Sequence, residues 1–101
     1  MKQFEEDLLN AVITTRFVLL EKEPILNVAH HEDDGAWEFT GPTQAVEDSD
    51  YKVIALGEVI AFDETILDVA DLPLGYKAFR PSPDDPWTRY PIPPETSDTN
   101  S

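Results

Sequence analysis

The sequence predicts a single α+β domain on a mainly antiparallel sheet, with an N-terminal helix and one or two short helices before the last strand. Three features carry that prediction. Short β-branched and aromatic runs follow one another with turn residues between them, which favours antiparallel neighbours. Helical patterning is strongest at the N-terminus and around residues 63–71. A length of 101 residues with 41% hydrophobic content bounds the chain to one compact domain, residues 1–92, followed by a flexible polar tail, 93–101.

At the start, Phe4, Leu8 and Val12 recur every four residues with Leu9 and Ile13 beside them, while Glu5, Glu6 and Asp7 suit the positive end of a helix dipole. The run Thr14 to Leu20 is β-branched and apolar and reads as a strand, with continuation of the helix as the alternative. Pro24 ends it. Ile25–His30 and Ala36–Thr40 form the arms of a hairpin around Glu32-Asp33-Asp34-Gly35, with Trp37 and Phe39 on one face. Tyr51–Leu56 is a further strand, and Gly57–Phe62 fits strand or helix. Asp63 is a good N-cap for a short helix through Asp71, ended by Leu72-Pro73-Leu74-Gly75. Tyr76–Arg80 is the expected last strand. Phe17, Trp37, Phe39, Phe62 and Phe79 at these positions are core candidates. Trp87 lies in the proline-rich stretch and either folds back, with Tyr90 and Ile92 extending the contact, or belongs to a binding surface.

Charge separates function classes. Asp and Glu number 21 against 7 Lys and Arg, a net charge of −14. Nucleic-acid affinity comes from cations that neutralise phosphates, so a nucleic-acid partner is not expected. Docking on anionic membrane surfaces is disfavoured for the same reason, and no apolar run approaches the roughly 18 residues of a membrane span. The acidic start, Met1 to Asp7, is unlike a basic secretory signal, so a cytoplasmic location is expected. With no cysteine, thiol nucleophiles and thiolate metal sites are excluded.

His30-His31-Glu32-Asp33-Asp34 is the densest ligand-like cluster. Neighbouring strand residues point to opposite faces, so His30 and His31 do not chelate one ion, and the run lacks calcium-loop spacing. No metal and no cofactor are expected. Catalysis finds no setting either: the serines Ser49, Ser82, Ser97 and Ser101 fall in loops or tail, and the four glycines are scattered. Acidic loops beside an aromatic side chain do suit a basic protein partner, through steering and a desolvated anchor. The candidate partner-binding residues are Glu32, Asp33, Asp34, Glu47, Asp48, Asp50, Asp84 and Asp85.

Taken whole, Asp33-Asp34-Gly35-Ala36-Trp37-Glu38-Phe39 after a strand, Val53 to Val59, Asp63 to Ile66, Leu72 to Arg80 and Asp84-Asp85-Pro86-Trp87 resemble a small bacterial family of uncharacterised domains. That family is similar to immunity proteins of polymorphic toxin systems, and the resemblance spans roughly residues 14–90. Where the family has proline after the cap aspartate, this chain has Glu64. The resemblance implies an α+β fold, no enzyme activity, and inhibition of a cognate toxin by binding. The alternative is a housekeeping domain that binds a small ligand or metal in a pocket beneath the hairpin.

Overall fold

The computed structural model describes residues 2–93. They form one six-stranded sheet with a single hydrophobic core on one of its faces. In chain order the elements are β1 (Ala11–Thr15), α1 (Arg16–Leu19), β2 (Asn27–His30), β3 (Trp37–Thr40), a 3-10 turn (Asp48–Asp50), β4 (Tyr51–Ala55), α2 (Leu56–Phe62), a 3-10 helix (Glu64–Val69), β5 (Tyr76–Phe79) and β6 (Thr88–Pro91). The strand order is β4-β1-β3-β2-β5-β6, antiparallel throughout except for β1 beside β3. The α+β reading with a mainly antiparallel sheet is correct. The tail expected at 93–101 lies outside the described residues after Pro93.

The expected hairpin forms, in register from Asn27↔Thr40 to His30↔Trp37. Its turn closes with His31 N–H donating to Ala36 C=O and Gly35 N–H to His31 C=O, and Gly35 takes φ 74°, where a side chain would be strained. Trp37 and Phe39 point inward with Val28 and Ala78 of the flanking strands, as period-2 alternation requires. Val18, Leu56, Val59, Ile66, Val69 and Leu72 cover them from the helical side. Thr14, also buried, donates from Oγ1 to Phe39 C=O at 2.7 Å and so stitches β1 to β3.

The N-terminal helix is not there. Residues 2–10 run irregularly across the core: Phe4 packs edge-on against Trp37 at 4.8 Å, while Leu8 and Leu9 are exposed. Two competitors displace the helix. Asp7 accepts from Leu9 N–H and its carbonyl accepts from Asn10 N–H, a local turn that uses groups a helix would need. The carbonyls of Asn10 and Leu8 then accept from Leu56 and Gly57 N–H, supplying the cap that Ala55 lacks as a side chain. Apolar spacing alone does not hold so short a helix against these bonds.

Thr14 to Leu20 divides between its two readings. The strand stops at Thr15, whose Oγ1 accepts from Val18 N–H and starts the single turn of α1. Residues 57–62 are helical, and Asp63 caps the following 3-10 helix through Thr65 N–H, which ends at Val69 short of the expected Asp71. The core expectation holds for Trp37 and Phe39 and fails for two others. Phe79 alternates onto the opposite sheet face, and Phe62 lies at the exposed end of α2 beneath Lys22; Phe17 is half-buried under the Arg16 guanidinium.

Tyr76–Phe79 is not the last strand. The proline-rich stretch returns as β6, in register with β5 from Tyr76↔Pro91 to Phe79↔Thr88, and Ile92 N–H donates to Gly75 C=O. Trp87 turns inward at the start of this return and stacks over Arg80 at 4.2 Å, whereas Tyr90 belongs to the added strand and Ile92 follows it directly. Arg80 itself is only 1% exposed. Its guanidinium donates to Ile25 C=O from both Nε and Nη2, to Thr65 Oγ1, to Pro83 C=O, and to Asp63 at 2.8 Å.

Truncating one partner of such a buried ion pair costs about 3–5 kcal/mol. Arg80→Ala is expected to destabilise by that amount in urea denaturation. Trp87→Ala is expected to cost roughly 2–4 kcal/mol, as for a packed aromatic. Unchanged midpoints would show that neither side chain holds the β5–β6 return.

Candidate functional site

The helices and residues 2–10 lie on the core face of the sheet, and among the described residues no helix covers the other face. Register fixes what it displays. Tyr51 and Val53 of β4 share this face with Ile13 of β1, Glu38 and Thr40 of β3, Asn27 of β2, Lys77 and Phe79 of β5, and Tyr90 of β6. Four are large apolar side chains left open to solvent: Val53 at 69%, Tyr51 at 43%, Phe79 at 39% and Tyr90 at 36%. They stand at the two sides of the sheet. Between them runs a polar strip with two adjoining depressions of about 200 and 370 Å3, which share Asn27, Glu38 and Thr40.

Within the strip, His31 Nε2 meets Glu38 Oε1 at 2.7 Å. Lys77 completes the smaller depression and lies 5.5 Å from the Tyr90 ring, an amphipathic cross-strand pair that covers part of the aromatic face. His30 is on the opposite side. Its ring stacks on Trp37 at 3.9 Å, Nδ1–H donates to Leu72 C=O at 2.7 Å, and Nε2 faces the Glu6 carboxylate at 3.9 Å. The two histidines therefore serve different faces, as expected for strand neighbours. A cleft of about 220 Å3 adjoins His30, with Glu5, Glu6 and Asp71 on its lining. Among the described residues no three His, Asp or Glu side chains gather as a metal site would require.

The predicted partner-binding acids do not converge. Glu32, Asp33 and Asp34 occupy the β2–β3 turn at one end of the sheet. Glu47 and Asp48 precede β4 at the other end, beside one edge strand. Asp84 and Asp85, in the β5–β6 loop, share that end but flank the opposite side. All seven are exposed and form separate corners around the sheet.

Asp50 is the exception, and its assignment to partner binding is corrected. It is only 4% exposed, and its carboxylate accepts from Arg16 Nε at 2.8 Å and from the N–H groups of Val46 and Glu47. A carboxylate so held closes the loop before β4 and has nothing to offer a partner. The Arg16 hydrogen bond, followed by the two backbone donors, lowers its pKa to about 2. Arg89, and less strongly Lys2, likewise depress Asp71 below the usual carboxylate range.

These pairings decide the surface charge. Lys2, Arg16, Arg80 and Arg89, four of the seven basic residues, are tied to Asp or Glu side chains within the chain. Among the described residues no salt bridge reaches the seven exposed acids at the corners. Sequence reasoning located those corners but missed the apolar sides of the open face, because β6 was not recognised and Phe79 was assigned to the core. The alternation of Tyr76-Lys77-Ala78-Phe79 was the available signal. No protein-family model, curated protein or solved structure matches the chain.

A depressed carboxylate pKa gives a signed pH dependence. With an unfolded value near 3.9 and a folded value of about 2, the Asp50 contribution is complete above about pH 4 and lost as pH falls through about 2. The stability gap between wild type and Asp50→Asn, measured by urea midpoints, is expected to narrow between those two pH values. A gap independent of pH would sink the assignment.

Proposed function

We propose that the chain is a protein-binding domain for a basic protein, and specifically an immunity-type inhibitor that neutralises a bacterial toxin by covering it. The observation that carries this reading is the open sheet face, where large apolar side chains lie exposed within an otherwise strongly acidic chain. Protein interfaces combine those two ingredients, a core that loses water on docking and a charged rim that selects the partner. Here Tyr51, Val53, Phe79 and Tyr90 supply the apolar area, and Glu32, Asp33, Asp34, Glu47, Asp48, Asp84 and Asp85 supply the rim.

The net charge of −14 favours a basic partner through long-range steering. Internal pairing of all three arginines favours the same reading, since it leaves few cations without a carboxylate beside them. A toxin enters as the class of partner through the family resemblance of residues 14–90. Under this reading the complex forms in the cytoplasm, and inhibition by occlusion uses no cofactor and no reaction. No helix among the described residues is long and apolar enough to cross a membrane.

The test is capture followed by rescue. Tagged protein is expected to retain a basic protein from native-host lysate whose expression alone arrests growth, and co-expression of this chain is expected to restore it. An acidic partner, or no rescue, would overturn the reading. Raising salt from about 50 to 500 mM should slow association with that partner at least tenfold, with a smaller effect on dissociation. A salt-independent association rate would remove the electrostatic argument.

A further inference from the structure

The two edges of the sheet are built differently. At β6 the residues whose backbone turns outward are Arg89 and Pro91, because Ile92 N–H donates to Gly75 C=O and sets the hydrogen-bonding phase of the β5–β6 ladder. Proline has no N–H and arginine carries a charge, two devices that discourage pairing by another strand. At β4 the phase follows from Leu56 N–H donating to Asn10 C=O at 2.8 Å. Val12↔Ile54 and Thr14↔Lys52 then hold the hydrogen-bonded positions, and Tyr51, Val53 and Ala55 turn their backbones away from β1.

Some of these outward groups are used. Tyr51 N–H donates to Asp48 C=O, and Ala55 C=O opens α2 as its N-cap. Left over are Tyr51 C=O, Val53 N–H, Val53 C=O and Ala55 N–H, which meet no backbone partner among the described residues. They alternate acceptor, donor, acceptor, donor along one short edge. That is the pattern an added strand completes. Neither proline nor a bulged residue guards this edge, the one charged residue of β4, Lys52, turns its backbone toward β1, and Val53 is the most exposed apolar side chain on the open face.

We infer that β4 is a docking edge for an extended basic segment of a partner protein, which adds as a seventh strand. The inference rests on the protein-binding reading above and specifies how the partner attaches. Charge selects the occupant. A second copy would bring two chains of −14 edge to edge, whereas a lysine- or arginine-bearing strand meets Glu47 and Asp48 at one end of β4 and Glu58 beyond the other. Apolar residues at alternate positions of that strand would cover Tyr51 and Val53, extending the open face by one strand.

The probe is a short peptide of alternating lysine and valine, added to the full chain and followed by amide hydrogen exchange. In the free protein, Val53 and Ala55 amides are expected to exchange fast and Lys52 and Ile54 slowly. The peptide should slow Val53 and Ala55 at least about tenfold. A backbone N-methylated copy of the peptide should lose the effect. Val53→Pro should lose it as well while leaving the β1–β4 ladder intact, because Val53 N–H serves no internal bond.

Binding that protects neither amide, or that survives in Val53→Pro, would overturn the edge while leaving the basic-partner reading in place. Equal protection by a glutamate–valine peptide would overturn the basic occupant instead. Protection that rises with protein concentration in the absence of peptide would make a second copy the occupant and sink the proposal. Should Val53→Pro fail to fold, the N-methylated peptide decides the same question on the wild-type chain.

Discussion

The Arg80 guanidinium is the constraint on which the rest of the chain is hung. All of its N–H capacity is taken: five hydrogen bonds reach Ile25 before β2, Thr65 and Asp63 at the start of the 3-10 helix, and Pro83 in the β5–β6 loop. Asp63 is occupied in turn, since its other oxygen accepts from the N–H and hydroxyl of Thr65. A charge this deeply buried is tolerated only when every donor is met, and meeting them fixes several segments at once. Trp87 closes the ring face from outside the ladder. The proline-rich return is thereby held against β5, and β6 follows from it.

A second consequence is that the sheet is covered on one side only. Short helices and residues 2–10 are enough to bury Trp37, Phe39 and their neighbours, and among the described residues no helix lies across the opposite face. Antiparallel sheets accept this arrangement when the open face is polar. Here the centre of the face is polar, through Asn27, His31, Glu38 and Lys77, and its sides are not. Those exposed apolar side chains are the area that the proposed partner would cover.

Charge is organised by the same pairing that stabilises the fold. Arg16 is absorbed by Asp50 and Glu21, Arg89 by Asp71, and Arg80 by Asp63. Acids outnumber bases threefold, so each internal pair ties up a cation and leaves the acidic excess unchanged. The acidic corners at residues 32–34, 47–48 and 84–85 stand apart because three different loops carry them. A rim of that kind surrounds a face better than it forms a patch.

The α+β class, the 25–40 hairpin, the strand at 51–55 and the capped turn after Asp63 are legible in the residues alone, because each rests on contacts close along the chain. Alternation in Trp37-Glu38-Phe39-Thr40, the φ > 0 turn at Gly35 and the Asp63 side chain are local facts, legible without a partner element. The acidic corners were legible for the same reason, as loops between strands. The remaining features depend on long-range contacts. Residues 2–10 gave up a helical pattern because the carbonyls of Leu8 and Asn10 were needed at the start of α2, some 46 residues further on. Asp50 left the surface because Arg16, 34 residues earlier, reached it. β6 formed in a proline-rich stretch of unremarkable propensity because Arg80 and Trp87 brought it alongside β5. The open face and its free edge followed from strand order, which is a property of long-range pairing and of no local run of residues.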